Sequence, residues 1–364
     1  QKNGSTSLRK EKDRINTLGF TTDIFSEFSD TWTANSGMEI YYDRVGSTRE
    51  DIDTQTGRLS LKRGLYPDAS KYGNYSVYSL HHLQWGKWIV DAGVRFNTFD
   101  IRINDTTLGA VKISPSAWVG NAALMYKVNR NQTIYASFSS GYRAPNVDDM
   151  GTLGIVDFRY EVPTADLKPE KSQHTELGYK VQTKRLGGTI AAYYMHLADL
   201  ITRVKMDGQV ISGYQVYQKE NTESALIKGF ETELNWNAIK NLHISGGIAY
   251  AYGQSLSKKE PLRRIPPLNG RLMGTYRKNK WFAASEFQFA SAQKRLAQGD
   301  KDDNRIPSGG TPGWRLLNFY GGYKFSIVQL NAGIQNIFNE DYRTHGSGIN
   351  GVGRSAWFSV HLNF

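Results

Sequence analysis

Apolar and polar side chains alternate residue by residue through much of this chain, in segments of about ten residues that end in turn-forming residues. The last segment is the clearest: Phe358, Val360, Leu362 and Phe364 share one face, while Ser359, His361 and Asn363 share the other. Val328, Leu330, Ala332 and Ile334 oppose Gln329, Asn331, Gly333 and Gln335 in the same way. This period places one face of a β-strand away from water and wets the other. Fifteen such segments lie near residues 13–25, 35–46, 74–84, 87–103, 111–128, 132–141, 170–182, 187–204, 214–236, 240–254, 269–278, 281–293, 314–325, 327–339 and 354–364. Short turns, as at Trp85-Gly86 and 129–131, are interleaved with longer stretches near 47–73, 142–169, 205–213, 255–268, 294–313 and 340–353. Tight turns at one end and long loops at the other describe an all-β, transmembrane antiparallel β-barrel.

No apolar run approaches the roughly 18 residues of a membrane helix, so helical spanning is excluded while barrel spanning is not. Tyr 21, Phe 16, Trp 8 and Gly 36 are high and charged residues only 22%, a profile that leans towards strands. The absence of cysteine rules out a disulfide-stapled fold. The net charge of +11 is scattered, and no zinc-ligand, helix-turn-helix or aromatic ribonucleoprotein pattern accompanies it; nucleic acid is not an expected partner. No phosphate-binding loop, H-E-x-x-H, nucleophile elbow or cysteine nucleophile is present. Asp148-Asp149 and Asp302-Asp303 read as solvated loop residues, and no enzyme is expected.

Fifteen strands is an odd number, whereas a single-chain bacterial barrel has an even one. The count therefore predicts part of a larger barrel: about fifteen strands of a probable plugged barrel of about 22, entered near the eighth. On this reading residues 1–364 are one unit, the C-terminal part of the barrel, with the plug and first strands outside the sequence. The opening Gln1-Lys2-Asn3-Gly4 lacks an apolar leader-like run, so a mature or truncated form is expected.

Four motifs then occur in order. Tyr142-Arg143-Ala144-Pro145 follows a strand; Leu167-Lys168-Pro169-Glu170-Lys171-Ser172 precedes Glu176-Leu177-Gly178; Asn221 leads to Ala225, Gly229 and Glu231; Asn336-Ile337-Phe338 precedes Tyr342 and the terminal Phe364. Together they resemble the signature of TonB-dependent outer-membrane receptors, and the first two resemble boxes of the haem and haemoglobin receptor subgroup. That resemblance implies energised uptake across the outer membrane of a Gram-negative bacterium, with the TonB–ExbB–ExbD complex as partner. It also implies contact with outer-membrane lipid and lipopolysaccharide, and an aromatic ending (Phe358, Val360, Leu362, Phe364) read by the barrel-insertion machinery. A haemoprotein or surface lipoprotein is a further partner of such receptors.

No intrinsic cofactor is expected; haem or a ferric chelate is the transported ligand, with cobalamin, a passive porin or an adhesin as alternatives. No histidine lies between residues 142 and 169, where the subgroup places one. The candidate ligand-binding residues are therefore Tyr142, Arg143, Met150, Arg159, Tyr160 and His345, the last in a late external loop. Cations such as Arg263-Arg264 and Arg343, interleaved with tyrosines, suit a planar anion. Glu176 and Glu231 are expected to face the lumen opposite Leu177 and Phe230, where a carboxylate can meet an interior cation.

Overall fold

The computed structural model describes residues 6–156 and 159–362. Its strands are β1 (Ser7–Ser29), β2 (Trp32–Asp53), β3 (Leu59–Arg63), β4 (Ser70–Trp85), β5 (Trp88–Asp105), β6 (Gly109–Ile113), β7 (Ser116–Asn129), β8 (Gln132–Arg143), β9 (Gly154–Val156) and β10 (Arg159–Val162). They continue as β11 (Glu170–Gln182), β12 (Leu186–Ile211), β13 (Tyr214–Ile239), β14 (Leu242–Ser255), β15 (Asn269–Lys278), β16 (Trp281–Ala290), β17 (Trp314–Lys324), β18 (Val328–Gln335) and β19 (Ser355–Leu362). The helices are α1 (Val147–Gly151) and α2 (Gln298–Lys301).

Fifteen of these strands form one antiparallel meander in which each long strand bonds to the next, matching the fifteen alternating segments. β1 and β19 bound the meander. The other four strands belong to the long-loop end, where β3 and β6 extend the tops of β2 and β5, and β10 joins β9 and runs parallel to β13. The sequence reads 111–128 as one strand; Pro115, which cannot donate to the ladder, separates β6 from β7. The long connection expected at 205–213 is instead a tall hairpin, β12 and β13 running 26 residues each to a turn at Ser212-Gly213. At about 3.3 Å per residue and about ten residues per crossing, this hairpin rises well beyond a membrane.

The wall is inside out by the standards of a water-soluble sheet. Leu177, Phe230, Phe358, Val360 and Leu362 point outward, 38–64% exposed, which suits a hydrocarbon surround. At the short-turn end the outward aromatics pair across neighbouring strands: Trp88 with Tyr126 at 4.7 Å between ring centroids, and Tyr276 with Trp281 at 5.4 Å. Such a girdle marks a membrane interface. Inside, glycine makes room for flat-lying rings. Gly178 faces Tyr135 across β8 and β11, and a Cβ there would stand 2.2 Å from the ring. The ring is thus free to lie along the wall and donate its hydroxyl to Glu176 Oε1 at 2.6 Å. Glu176 and Glu231 both share the inward register opposite Leu177 and Phe230, as the alternation requires. A buried apolar cluster lies under the long loops: Phe99, Ile101, Ile103, Ala144, Met150 and Leu167.

Candidate functional site

Two groups of loops occupy the long-loop end. The first is built on residues 144–169. Asn146 caps α1, its Oδ1 accepting the Asp149 N–H at 2.8 Å while its own N–H donates to Asp149 Oδ2 at 3.1 Å, a reciprocal box that fixes where the short helix begins. Arg143 Nη1 donates to the same Asp149 oxygen at 2.6 Å, and Arg143 Nε donates to Glu170 Oε2 at 2.5 Å. Asn221 then ties the far end of the loop to β12: its Nδ2 donates to the carbonyls of Lys168 (2.8 Å) and Asp199 (2.6 Å), and its Oδ1 accepts the Lys168 N–H at 2.6 Å. Asp199 needs that bond, because it sits at a positive φ of 56° where the β12–β13 register breaks.

Beneath α1 lies a buried ion cluster. Lys219 Nζ is 2.8 Å from Asp148 Oδ2 and 3.8 Å from both Asp149 Oδ1 and Glu161 Oε2, and Arg203 pairs with Glu161. Burial is the largest single influence and works to raise the Asp148 pKa; the bond and charge of Lys219, the Thr152 hydroxyl and the Arg203 charge together outweigh it and hold the carboxyl below its ordinary value. Arg63, on β3, closes the arrangement with Asp105 at 2.7 Å and the Gly151 carbonyl at 2.6 Å.

The second group comprises residues 256–268, 291–313 and 336–354. Asp303 is surrounded by guanidinium groups, Arg305 at 2.7 Å and Arg263 and Arg264 each at 3.2 Å. The Arg305 bond, more than any other contact, holds the Asp303 carboxyl well below the usual range. Asn336 pins the last loop through the carbonyls of Glu340 at 2.8 Å and Val352 at 3.1 Å. Below these loops a cavity of about 830 Å³ opens on the inner wall, lined among others by Arg264, Arg343, His345, Trp314, Arg271 and Gln288. His345 Nδ1 lies 2.9 Å from Thr311 Oγ1, and Nε2 is buried without a hydrogen-bond partner among the described residues. Burial lowers the His345 pKa, against the pull of Asp300.

These two groups divide the sequence candidates. The Tyr142 ring stacks on Phe99 at 6.1 Å, with its hydroxyl buried and unpartnered among the described residues. Met150 is fully buried in the apolar cluster, and Arg143 is committed to two carboxylates. The Arg159 guanidinium lies 5.1 Å from the Tyr217 ring centroid, and Tyr160 stands opposite Val216. All five belong to the first group; His345 alone belongs to the second. Phe358, Val360 and Leu362 face outward on β19, and Phe364 lies outside the described residues. Sequence reasoning missed Lys219 and Trp314. Each sits in a strand like its neighbours, and no local pattern distinguishes it.

Over residues 2–337 the sequence matches the family described as "TonB dependent receptor-like, beta-barrel". The chain belongs to this family, one of outer-membrane transport receptors. It is 20% identical, over 92% of its length, to "TonB-dependent heme receptor A" of Haemophilus influenzae, and spans 50% of that relative. Among solved structures it resembles "Copper transporter OprC" (TM-score 0.81, 19% identity, 98% of this chain and 58% of that one). It also resembles the Serratia marcescens hemophore receptor HasR in complex with its hemophore HasA and heme (TM-score 0.75, 17% identity, 97% of this chain and 60% of that one). At these identities the structures show the fold alone. The chain spans about half the length of the H. influenzae relative and less than two thirds of either structure.

Proposed function

We propose that the chain is the C-terminal part of an outer-membrane receptor that takes up a scarce iron-containing ligand, haem or a haemoprotein in the first place and a ferric siderophore in the second. Further strands outside the sequence would close the wall, and a plug drawn through TonB–ExbB–ExbD would open it. His345 is the observation that carries the ligand reading. With Nδ1–H donating to Thr311, its Nε2 keeps a free lone pair, the form in which imidazole ligates a metal. Arg264 and Arg343 line the same cavity and suit the carboxylates of a planar dianion, and Trp314 supplies an aromatic face. The cavity volume lies within the ordinary ligand-site range of about 300–1,000 Å³. Nε2 is covered in this conformation, so ligation requires the 336–354 loop to lift. A haem receptor among the relatives, aligned over nearly the whole chain, supports the same reading.

The test is a spectroscopic titration of the full-length, detergent-purified receptor with haem, beside His345→Ala and Tyr142→Ala. A saturable Soret shift lost in His345→Ala supports capture at this cavity. No shift at micromolar haem removes haem, leaves the transport reading standing, and points to ferric siderophores. Loss in Tyr142→Ala alone would move the ligand to the first group of loops.

A further inference from the structure

The cations that the sequence spreads along the chain are sorted by the fold. At the long-loop end they meet carboxylates, as Arg263, Arg264 and Arg305 do at Asp303. At the short-turn end they do not. Five successive turns, between β4 and β5, β7 and β8, β11 and β12, β13 and β14, and β15 and β16, carry Lys87, Arg130, Lys184 with Arg185, Lys240 and Lys280. All six are exposed, none makes an ion pair among the described residues, and no carboxylate stands on any of the five turns. The turns hold their cations in place. Thr183 Oγ1 accepts the N–H groups of Arg185 at 3.2 Å and Leu186 at 2.8 Å, and Gly86, Asn241 and Asn279 turn the chain at positive φ. Lys184 and Arg185 are directed to the barrel mouth: with Lys180, which shares the inward register of Glu176, they line a hollow of about 420 Å³. Glu233, the one carboxylate lining that hollow, accepts from Asn235 Nδ2 at 3.1 Å.

Neighbouring strands lie about 4.8 Å apart, so successive turns stand about 10 Å apart and the five span an arc of about 40 Å. That spacing exceeds the screening length of about 8 Å at physiological ionic strength. The cations therefore do not converge on one pocket, and a small anion meets one turn at a time. A partner that answers all five carries anions repeated along an extended chain. With the long loops outside, this end faces the compartment beneath the outer membrane, where the cell-wall polymer bears carboxylates on its peptide stems. We propose that the short-turn rim docks on that polymer, with Lys87, Arg130, Lys240 and Lys280 along the chain and Lys180, Lys184 and Arg185 receiving a stem carboxylate at the hollow. The docking rests on the membrane-barrel fold and is independent of which ligand the inner cavity takes.

Co-sedimentation of the full-length receptor with purified cell-wall sacculi tests it, the receptor held in nanodiscs of a zwitterionic phospholipid at about 0.15 M salt. The wild type should pellet with the sacculi. Its affinity should fall about tenfold in K184Q/R185Q/K240Q, the scale of three exposed charge pairs together. It should be unchanged in K10Q/R58Q/K259Q, which removes three exposed cations from the opposite end and so matches the loss of net charge. Sacculi whose carboxyl groups have been amidated should lose the receptor. Heat-dependent migration on a detergent gel verifies that each variant is folded; a wild type without it would remove the barrel reading itself. Failure of the wild type to pellet would overturn the docking, as would wild-type affinity in K184Q/R185Q/K240Q or undiminished binding to amidated sacculi. Loss of binding when an anionic phospholipid is added to the nanodiscs would assign the rim to headgroups and overturn it equally.

Discussion

Lys219, buried, and His345, half-buried with its Nε2 covered, are both nitrogen-bearing side chains under the long loops, but their surroundings differ in kind. Lys219 meets Asp148 at 2.8 Å with Asp149 and Glu161 behind it, so its charge is fully engaged. His345 is held by one bond to Thr311 and leaves Nε2 open. Around residues 144–169 the charges pair with one another, and the conspicuous motif residues act as brackets between strands. Around the second cavity Arg264, Arg343 and His345 line open space; each has a bond of its own, to Asp303, Asn350 and Thr311, but the His345 Nε2 lone pair is unused. Residues committed to each other hold a loop down, whereas residues with unused donors and lone pairs are available to a ligand.

The sharpest way to break this contrast is to remove the cation at the centre of the first group. Lys219→Met removes the cation shared by Asp148, Asp149 and Glu161, the last two largely buried, and losing one partner of a buried pair costs about 3–5 kcal/mol. Hydrogen exchange in residues 144–169 should rise by two orders of magnitude or more, while residues 336–354 keep wild-type rates. Unchanged exchange in the first loop would show that Lys219 does not hold it. Next in size is Asn221→Ala, which leaves the Asp199 and Lys168 backbone groups without their partner and costs about 1–3 kcal/mol. Limited proteolysis should then cut near Lys168 or Arg203 faster than in wild type, with haem titration unaffected.

These brackets also show how far the sequence could be read. The wall was legible because a two-residue period and a turn are local properties, and all fifteen alternating segments became wall strands. The loop-end strands were not. β3 and β10 are five and four residues long, and they are held by Arg63 and by the parallel edge of β13, contacts between residues far apart in the chain. Tyr142 read as a candidate for a ligand because it opens a recognisable box, and Met150 because no histidine lies between residues 142 and 169; the structure places them against Phe99 and the apolar cluster. Glu176 and Glu231 faced inward as the alternation required. Which charges are engaged and which are open depends on tertiary neighbours and could not be read.

A variant within the second group sharpens the comparison further. Arg343→Gln removes a guanidinium that also bonds Asn350 Oδ1 at 2.7 Å and the Arg305 carbonyl at 3.1 Å. If it meets a ligand carboxylate, haem affinity should drop about tenfold, the scale of one charge-assisted bond, with the Soret position of the bound form unchanged because His345 still ligates. A shifted Soret maximum would instead place Arg343 in support of His345.

The smallest effect comes from acid, and the pH window in which it acts separates the two groups. In the first, Asp148 has a folded pKa below its ordinary 3.8. Its contribution to stability is therefore complete above 3.8 and is lost only as pH falls through the lower, folded value. In the second, burial depresses the His345 pKa below 6.5. The unfolded or lifted loop then binds the proton more readily than the closed one, so the closed state weakens as pH falls below 6.5. Between pH 7 and 5, hydrogen exchange should accelerate in residues 336–354, after correction for the intrinsic pH dependence, and stay constant in residues 144–169. His345→Gln should abolish that difference. An equal response of both loops would mean that His345 is not what distinguishes them.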